Sequence, residues 1–183
     1  MVNRRHIDLL VLLLISTLVV SASAAIYYAM LGQSTATVAT ATVYFIAGGD
    51  SSGILTLGTN NTYAELSLNA YPNVTLYYDQ AVNLTATAAK QVQLRHISVS
   101  PDDGDPSVSN FTSVVFRLIR ANGVEVGTLT YTTTGDIWNE PTIPTGYVSI
   151  SAGEELAIKV EIRAAAGANT GVSTTIVIAV DVK

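Results

Sequence analysis

The chain has 183 residues, of which 49% are apolar and 13% charged, with a net charge of −5 and no cysteine. Such a composition excludes a disordered chain, and the length favours one domain. The acidic balance argues against nucleic acid as a partner, and the missing thiols exclude a disulfide scaffold, a Cys-ligated zinc, an iron–sulfur cluster and a cysteine nucleophile.

The chain begins MVNRRHID, with Arg4 and Arg5 as a basic flank. Leu9–Val20 follows without a charge, and then come the small residues of Ser21–Ala25. Basic, apolar and small segments in that order describe a secretory signal, an N-terminal apolar signal helix removed on export. Residues 1–24 are therefore expected to be a signal peptide, cut between Ala24 and Ala25 or just after Ala25. The alternative is a retained membrane anchor over Leu9–Leu31, because roughly 20 apolar residues span a bilayer. Under either reading the remaining chain lies outside the cytoplasm, and with the signal removed the expected product is a secreted, cell-surface protein that meets the membrane only during export.

Residues 25–47 read as one extended N-terminal segment. Its core, Ser34–Ile46 (STATVATATVYFI), carries no charge, no Pro and no Gly. Small, β-branched side chains favour a strand, and an unguarded strand recruits others through its free N–H and C=O groups. Two readings stay open. The segment is the first internal strand of its own sandwich, or it is a donor strand that completes a neighbour's sheet. In the second case Ala36, Val38, Thr40, Thr42 and Tyr44 form one face, and Thr37, Ala39, Ala41, Val43 and Phe45 the other.

Gly48-Gly49-Asp50 marks a turn, and residues 48–183 then read as a β-sandwich domain. Strands are predicted over Ile54–Leu57, Tyr63–Leu68, Val74–Tyr78, Val82–Ala86 and Val92–Val99. Val114–Ile119 and Val124–Tyr131 flank Arg120-Ala121-Asn122-Gly123, and Asn-Gly between apolar runs is a strong hairpin signal. Glu155–Arg163 alternates strictly, with Leu156, Ile158, Val160 and Ile162 on one face. Thr174–Val182 does the same with Ile176, Ile178, Val180 and Val182. These last two are candidate antiparallel neighbours across Ala164–Gly171. The expected fold is all-β, a jelly-roll-like two-sheet sandwich of about nine to eleven strands.

Chemistry-bearing residues are sparse. His96 is the single histidine after the signal, so neither a His-based triad nor a multi-His metal site can be assembled there. Asp102, Asp103 and Asp105 surround Gly104 in a loop that offers calcium-type oxygens, although a solvated acidic turn is the preferred reading. Sequons occur at Asn60, Asn73, Asn83 and Asn110, each a candidate for N-glycosylation in an exported chain. Trp138, in a loop with two prolines, either caps the core or makes an external contact. No cofactor is expected, and an enzyme is the least favoured class.

The signal, the extended Thr/Ala/Val strand running into Val43-Tyr44-Phe45-Ile46-Ala47-Gly48-Gly49-Asp50, the all-β body and the Thr/Ile/Val last strand together resemble archaeal bundling-pilus subunits. These are similar to the bacterial TasA/camelysin biofilm-matrix fibre proteins. The resemblance implies a jelly roll whose N-terminal strand fits into the next subunit, hence a structural subunit of an extracellular filament used in adhesion or biofilm formation. Its partners would be copies of itself, with lateral bundling of filaments. The chain departs from the bacterial members in lacking the Phe-Ser-Asp run that follows their signal. Two other expectations compete. One is a type IV pilin-like subunit that keeps Leu9–Leu31 as a helix, and the other is a membrane-anchored surface binding module.

Overall fold

Period-two alternation runs through the chain after the N-terminal segment, and it produces strands. The structure, a computed structural model, describes residues 41–183. Eleven strands run through them: β1 (Val43–Ala47), β2 (Leu55–Leu57), β3 (Tyr63–Asn69), β4 (Thr75–Ala86), β5 (Lys90–Ser100), β6 (Phe111–Arg120), β7 (Glu125–Thr134), β8 (Ile137–Asn139), β9 (Val148–Ile150), β10 (Glu155–Ala164) and β11 (Ser173–Val182). They form two antiparallel sheets. The first has the order β1-β4-β10-β6-β7-β8 and the second β2-β3-β11-β5-β9.

The inward faces of both sheets meet in one core. Leu156, Ile158, Val160 and Ile162 of β10 are fully buried, as are Ile176 and Ile178 of β11, Leu66 and Leu68 of β3, and Phe116 and Leu118 of β6. Each such side chain contributes about 1.5–3 kcal/mol on leaving water, which is why the alternation selects the face. On β11 the predicted face runs out early: Val180 is half-buried and Val182 exposed.

The Asn-Gly signal does make a hairpin, β6 to β7. Its loop has three residues rather than two. Gly123 takes the left-handed conformation (φ 82°), its N–H donates to Arg120 O, and Arg120 N–H donates to Val124 O. Asn122 Oδ1 accepts from Val124 N–H at 3.1 Å, which fixes the turn from within.

Three expectations need correction. β10 and β11 are not neighbours: β10 lies between β4 and β6, and β11 between β3 and β5 in the other sheet. Two strands with one apolar face each satisfy the same pattern whether they pair or oppose each other. The separate strands at Val74–Tyr78 and Val82–Ala86 are one strand, β4, continuous through Asp79 and Gln80. Its register against β10 slips between Ile158↔Val82 and Val160↔Tyr78, so a bulge absorbs the polar residues that read as a break.

The third correction concerns the N-terminal segment. Val43–Ala47, placed by the donor-strand reading in a strand that leaves the domain, follows the internal reading instead: it is β1 of the chain's own sheet, paired antiparallel with Val82–Ala86. Val43 and Phe45 are 1% and 0% exposed and belong to the core. Tyr44 lies opposite Thr85, and Thr42 O accepts from Thr87 N–H at 2.8 Å. Thr42 and Tyr44 are thus held at home, because β1 supplies the large apolar side chains that this end of the core needs. Ala36, Val38 and Thr40, with Ala24, Ala25 and the apolar signal helix, lie outside the described residues.

Candidate functional site

Among the described residues, the longest sheet edge without a partner strand is built by β1 and the first half of β4. Because Thr42 and Thr87 are a hydrogen-bonded pair, Tyr44/Thr85 and Ile46/Asn83 are the next such pairs. The N–H and C=O groups of Val43, Phe45 and Ala47 therefore point away from β4, to a side where no strand lies among the described residues. β1 ends at a clamp. Asp50 N–H donates to Gln80 O (3.0 Å), and Gln80 N–H donates to Asp50 Oδ2 (3.1 Å). A Cβ on Gly48 would sit 2.0 Å from Gln80 O, so only glycine permits this close approach. Beyond the clamp, Thr75–Asp79 of β4 pairs with β10 on one side and with no described strand on the other.

Burial records the difference along β4. Beside β1, its inward residues Val82, Leu84 and Ala86 are at most 3% exposed. Past the clamp, Leu76 and Tyr78, which face the core opposite Ile162 and Val160, are only half-buried. Tyr71 (52%), Val74 (42%) and Tyr77 (57%) are exposed in the same stretch. Tyr71 and Tyr78 lie close enough to interact, and burial followed by that interaction raises the Tyr78 phenol above its ordinary value. The other sheet edges are β2, β8 and β9, three residues each, and shortness itself protects an edge.

His96 lies inside the fold. It continues the inward row of Val92 and Leu94, and Arg95 on the opposite face pairs with Asp181 at 3.1 Å. His96 Nδ1 lies 3.1 Å from the Tyr131 hydroxyl and Nε2 lies 3.0 Å from Glu140 Oε2. The tautomer that satisfies all three groups accepts the phenol proton at Nδ1 and donates Nε2–H to the carboxylate. Tyr131 has no exposed surface, and burial, aided by the Glu140 charge, raises its phenol far above the ordinary range. Since β5 and β7 lie in different sheets, the relay bridges the sandwich, with Glu140 holding the loop after β8.

The acidic loop does not converge on a cation. Asp103 Oδ1 accepts from Trp138 N–H (2.7 Å), and Asp105 Oδ1 accepts from Ser107 N–H (2.7 Å), which holds the Asp105 carboxyl below its ordinary value. Asp102 contributes its backbone carbonyl to the turn. Among the described residues no three acidic or histidine side chains are grouped to hold a metal. Trp138 caps the core: it is 3% exposed, packs on Phe111 at 5.5 Å, and donates Nε1–H to Pro101 O at 3.0 Å.

The four sequons divide into two pairs. Asn60 and Asn73 lie in exposed turns with left-handed backbone (φ 59° and 57°), where a glycan has room. Asn83 and Asn110 are 9% and 6% exposed, which corrects the expectation for both. Asn110 donates to Ser107 O and accepts from Asn169 N–H, while Asn83 reaches Glu155 at 3.4 Å. A buried, engaged amide leaves no path for a sugar.

No family model matches this chain, and no curated protein matches it significantly.

Proposed function

We propose that this chain is a structural subunit of an extracellular filament, exported through its N-terminal signal and joined copy to copy by strand addition. The proposal includes a jelly roll as the finer description of the fold. The orders β3-β11-β5-β9 and β4-β10-β6-β7 support that description, since eight strands wound as two Greek keys give the same neighbours. One observation carries the functional reading. The uncharged, β-prone run Ser34–Thr40 leads directly into β1, which among the described strands is an edge strand. A backbone that reaches an edge in this way favours β-augmentation between copies. The contact is heterologous, and one that does not close yields a filament.

The test is deletion of Ser34–Ala41. It stops short of Thr42, whose carbonyl anchors Thr87, so β1 and the core stay intact. The expected product is a folded subunit that forms no filaments, read by electron microscopy of cell-surface material and by hydrodynamic size. Filaments of normal length from the deleted chain would reject the proposal. N-terminal sequencing of the exported protein separates this reading from a pilin-like subunit: a start near Ala25 supports it, and a start near His6 opposes it.

A further inference from the structure

We propose that Asn73 carries an N-linked glycan whose first sugar ring stacks on the exposed face of Tyr71, so that the carbohydrate packs as part of the domain at this turn. The inference rests on the export proposed for this chain and not on polymerisation. Room for a sugar exists at Asn60 as well; Asn73 alone is joined to a protein surface that receives one.

The site is Tyr71-Pro72-Asn73-Val74-Thr75, which links β3 to β4. Val74 N–H donates to Tyr71 O at 3.1 Å, and Asn73, the third residue of this turn, has φ 57°. Proline followed by a left-handed residue is the type II turn, in which the first and fourth Cα atoms lie within about 7 Å of each other. Turn chemistry explains why Asn is admitted at the third position. It does not explain what flanks it. Thr75 supplies the hydroxyl that makes Asn73 an acceptor for glycan transfer. Tyr71 leaves 52% of its surface in water, and Val74 leaves 42%. The Tyr71 hydroxyl interacts with that of Tyr78, which holds the ring along the domain surface.

An aromatic face is electron-rich, and the C–H groups on one side of a pyranose are its electrostatic complement. A sugar laid there removes apolar ring surface from water without rearranging the protein. In the transfer itself, the Asn73 amide nitrogen forms the bond to C1 of the sugar. The bond from C1 to the phosphate of a lipid-linked sugar donor breaks, its electron pair leaves on the phosphate, and the amide proton passes to a base of the transferase. Asn60 supplies the contrast. The hydroxyl of its sequon, Thr62 Oγ1, donates back to Thr59 O at 3.3 Å. One face of Tyr63, the nearest ring in sequence, already lies on Gly58, where a Cβ would overlap it.

A double-mutant cycle on the full chain, exported by the cells that make it, tests the stacking. Its four members are the unaltered chain, Tyr71→Ala, Thr75→Val, which abolishes the acceptor and leaves Asn73 in its turn, and the two substitutions together. Peptide mass spectrometry should find a glycan at Asn73 wherever Thr75 is kept and none where it is replaced. Urea unfolding, followed by Trp138 fluorescence, should show Tyr71→Ala raising the unfolding constant about fivefold more with the glycan than without it, the effect of a ring face withdrawn from water. Tyr71→Leu, which keeps apolar bulk without the ring, should give coupling of the same sign and takes the place of Tyr71→Ala if that chain does not fold. Exported protein with a bare Asn73 would overturn the proposal and leave export standing. A glycan at Asn73 with equal effects of the Tyr71 substitution in both backgrounds would overturn the stacking. An unaltered chain that stays in the cell, bare at Asn73, would overturn export together with the glycan.

Discussion

Tyr131 has no exposed surface, yet it keeps a hydroxyl, and that oxygen is useful only because His96 reaches it across the core. Phe116 holds the ring edge-on at 5.7 Å, so Tyr131→Phe should preserve the packing. What it removes is the partner of His96 Nδ1, and a buried hydrogen bond lost in this way costs about 1 kcal/mol. A fall of that size in unfolding free energy, with unchanged near-ultraviolet spectra, is the expected outcome in urea titration. No loss would mean that water replaces the phenol. This relay was not legible in the sequence. His96 and Tyr131 are 35 residues apart on strands of different sheets, so no local pattern in either segment announces the pair. The sequons show the same limit, since an Asn-x-Thr tripeptide does not say which face of a strand its Asn will occupy.

Among the elements, β1 carries the most consequence for its length. Its five residues place Val43 and Phe45 in the core, and its clamp at Gly48 and Asp50 sets where it stops. Phe45→Ala should cost about 3–5 kcal/mol, the range for emptying a large buried aromatic site. Because β1 is an edge strand, that loss should first appear as local release, with faster amide exchange across Tyr44, Ile46 and Val82–Ala86 than across β10 and β6. Uniform exchange across the whole domain would show instead that β1 unfolds only with the rest. The strand character of Val43–Ala47 was visible in its β-branched and aromatic composition. That this strand pairs with β4 of its own sheet was decided by the core positions that Val43 and Phe45 fill.

At the scale of the whole molecule, acidic residues link the strands at the surface. Ser151 N–H and then Arg120 hold the Glu154 carboxyl below its ordinary value of 4.5, and Thr128 and Arg117 do the same for Glu125. Burial pushes Asp181 up, but hydrogen bonds from Arg95 and Gln93 outweigh it and leave it low. A carboxyl with a lowered folded value contributes stability that is complete above its unfolded value and is lost as pH falls through the folded one. The window therefore opens at 4.5 for the glutamates and 3.8 for Asp181 and runs downward. These groups are partly exposed, so their combined contribution is only about 1 kcal/mol. Urea midpoints should hold steady above that window and decline below it, with a smaller decline in high salt. A midpoint that rises on acidification would contradict these pairings.

Local pattern alone determined the all-β class, most of the strand positions and the turn at Gly123, because period-two alternation and backbone-permissive residues act over a few positions of chain. Tertiary structure decided what depends on neighbours. It placed β10 and β11 in different sheets, joined β4 across Asp79 and Gln80, buried two of four sequons and kept Val43–Ala47 at home. Above all it decided where β1 stops along β4, because the clamp of Gly48 and Asp50 closes on Gln80 and no residue of β4 encodes its neighbour's length.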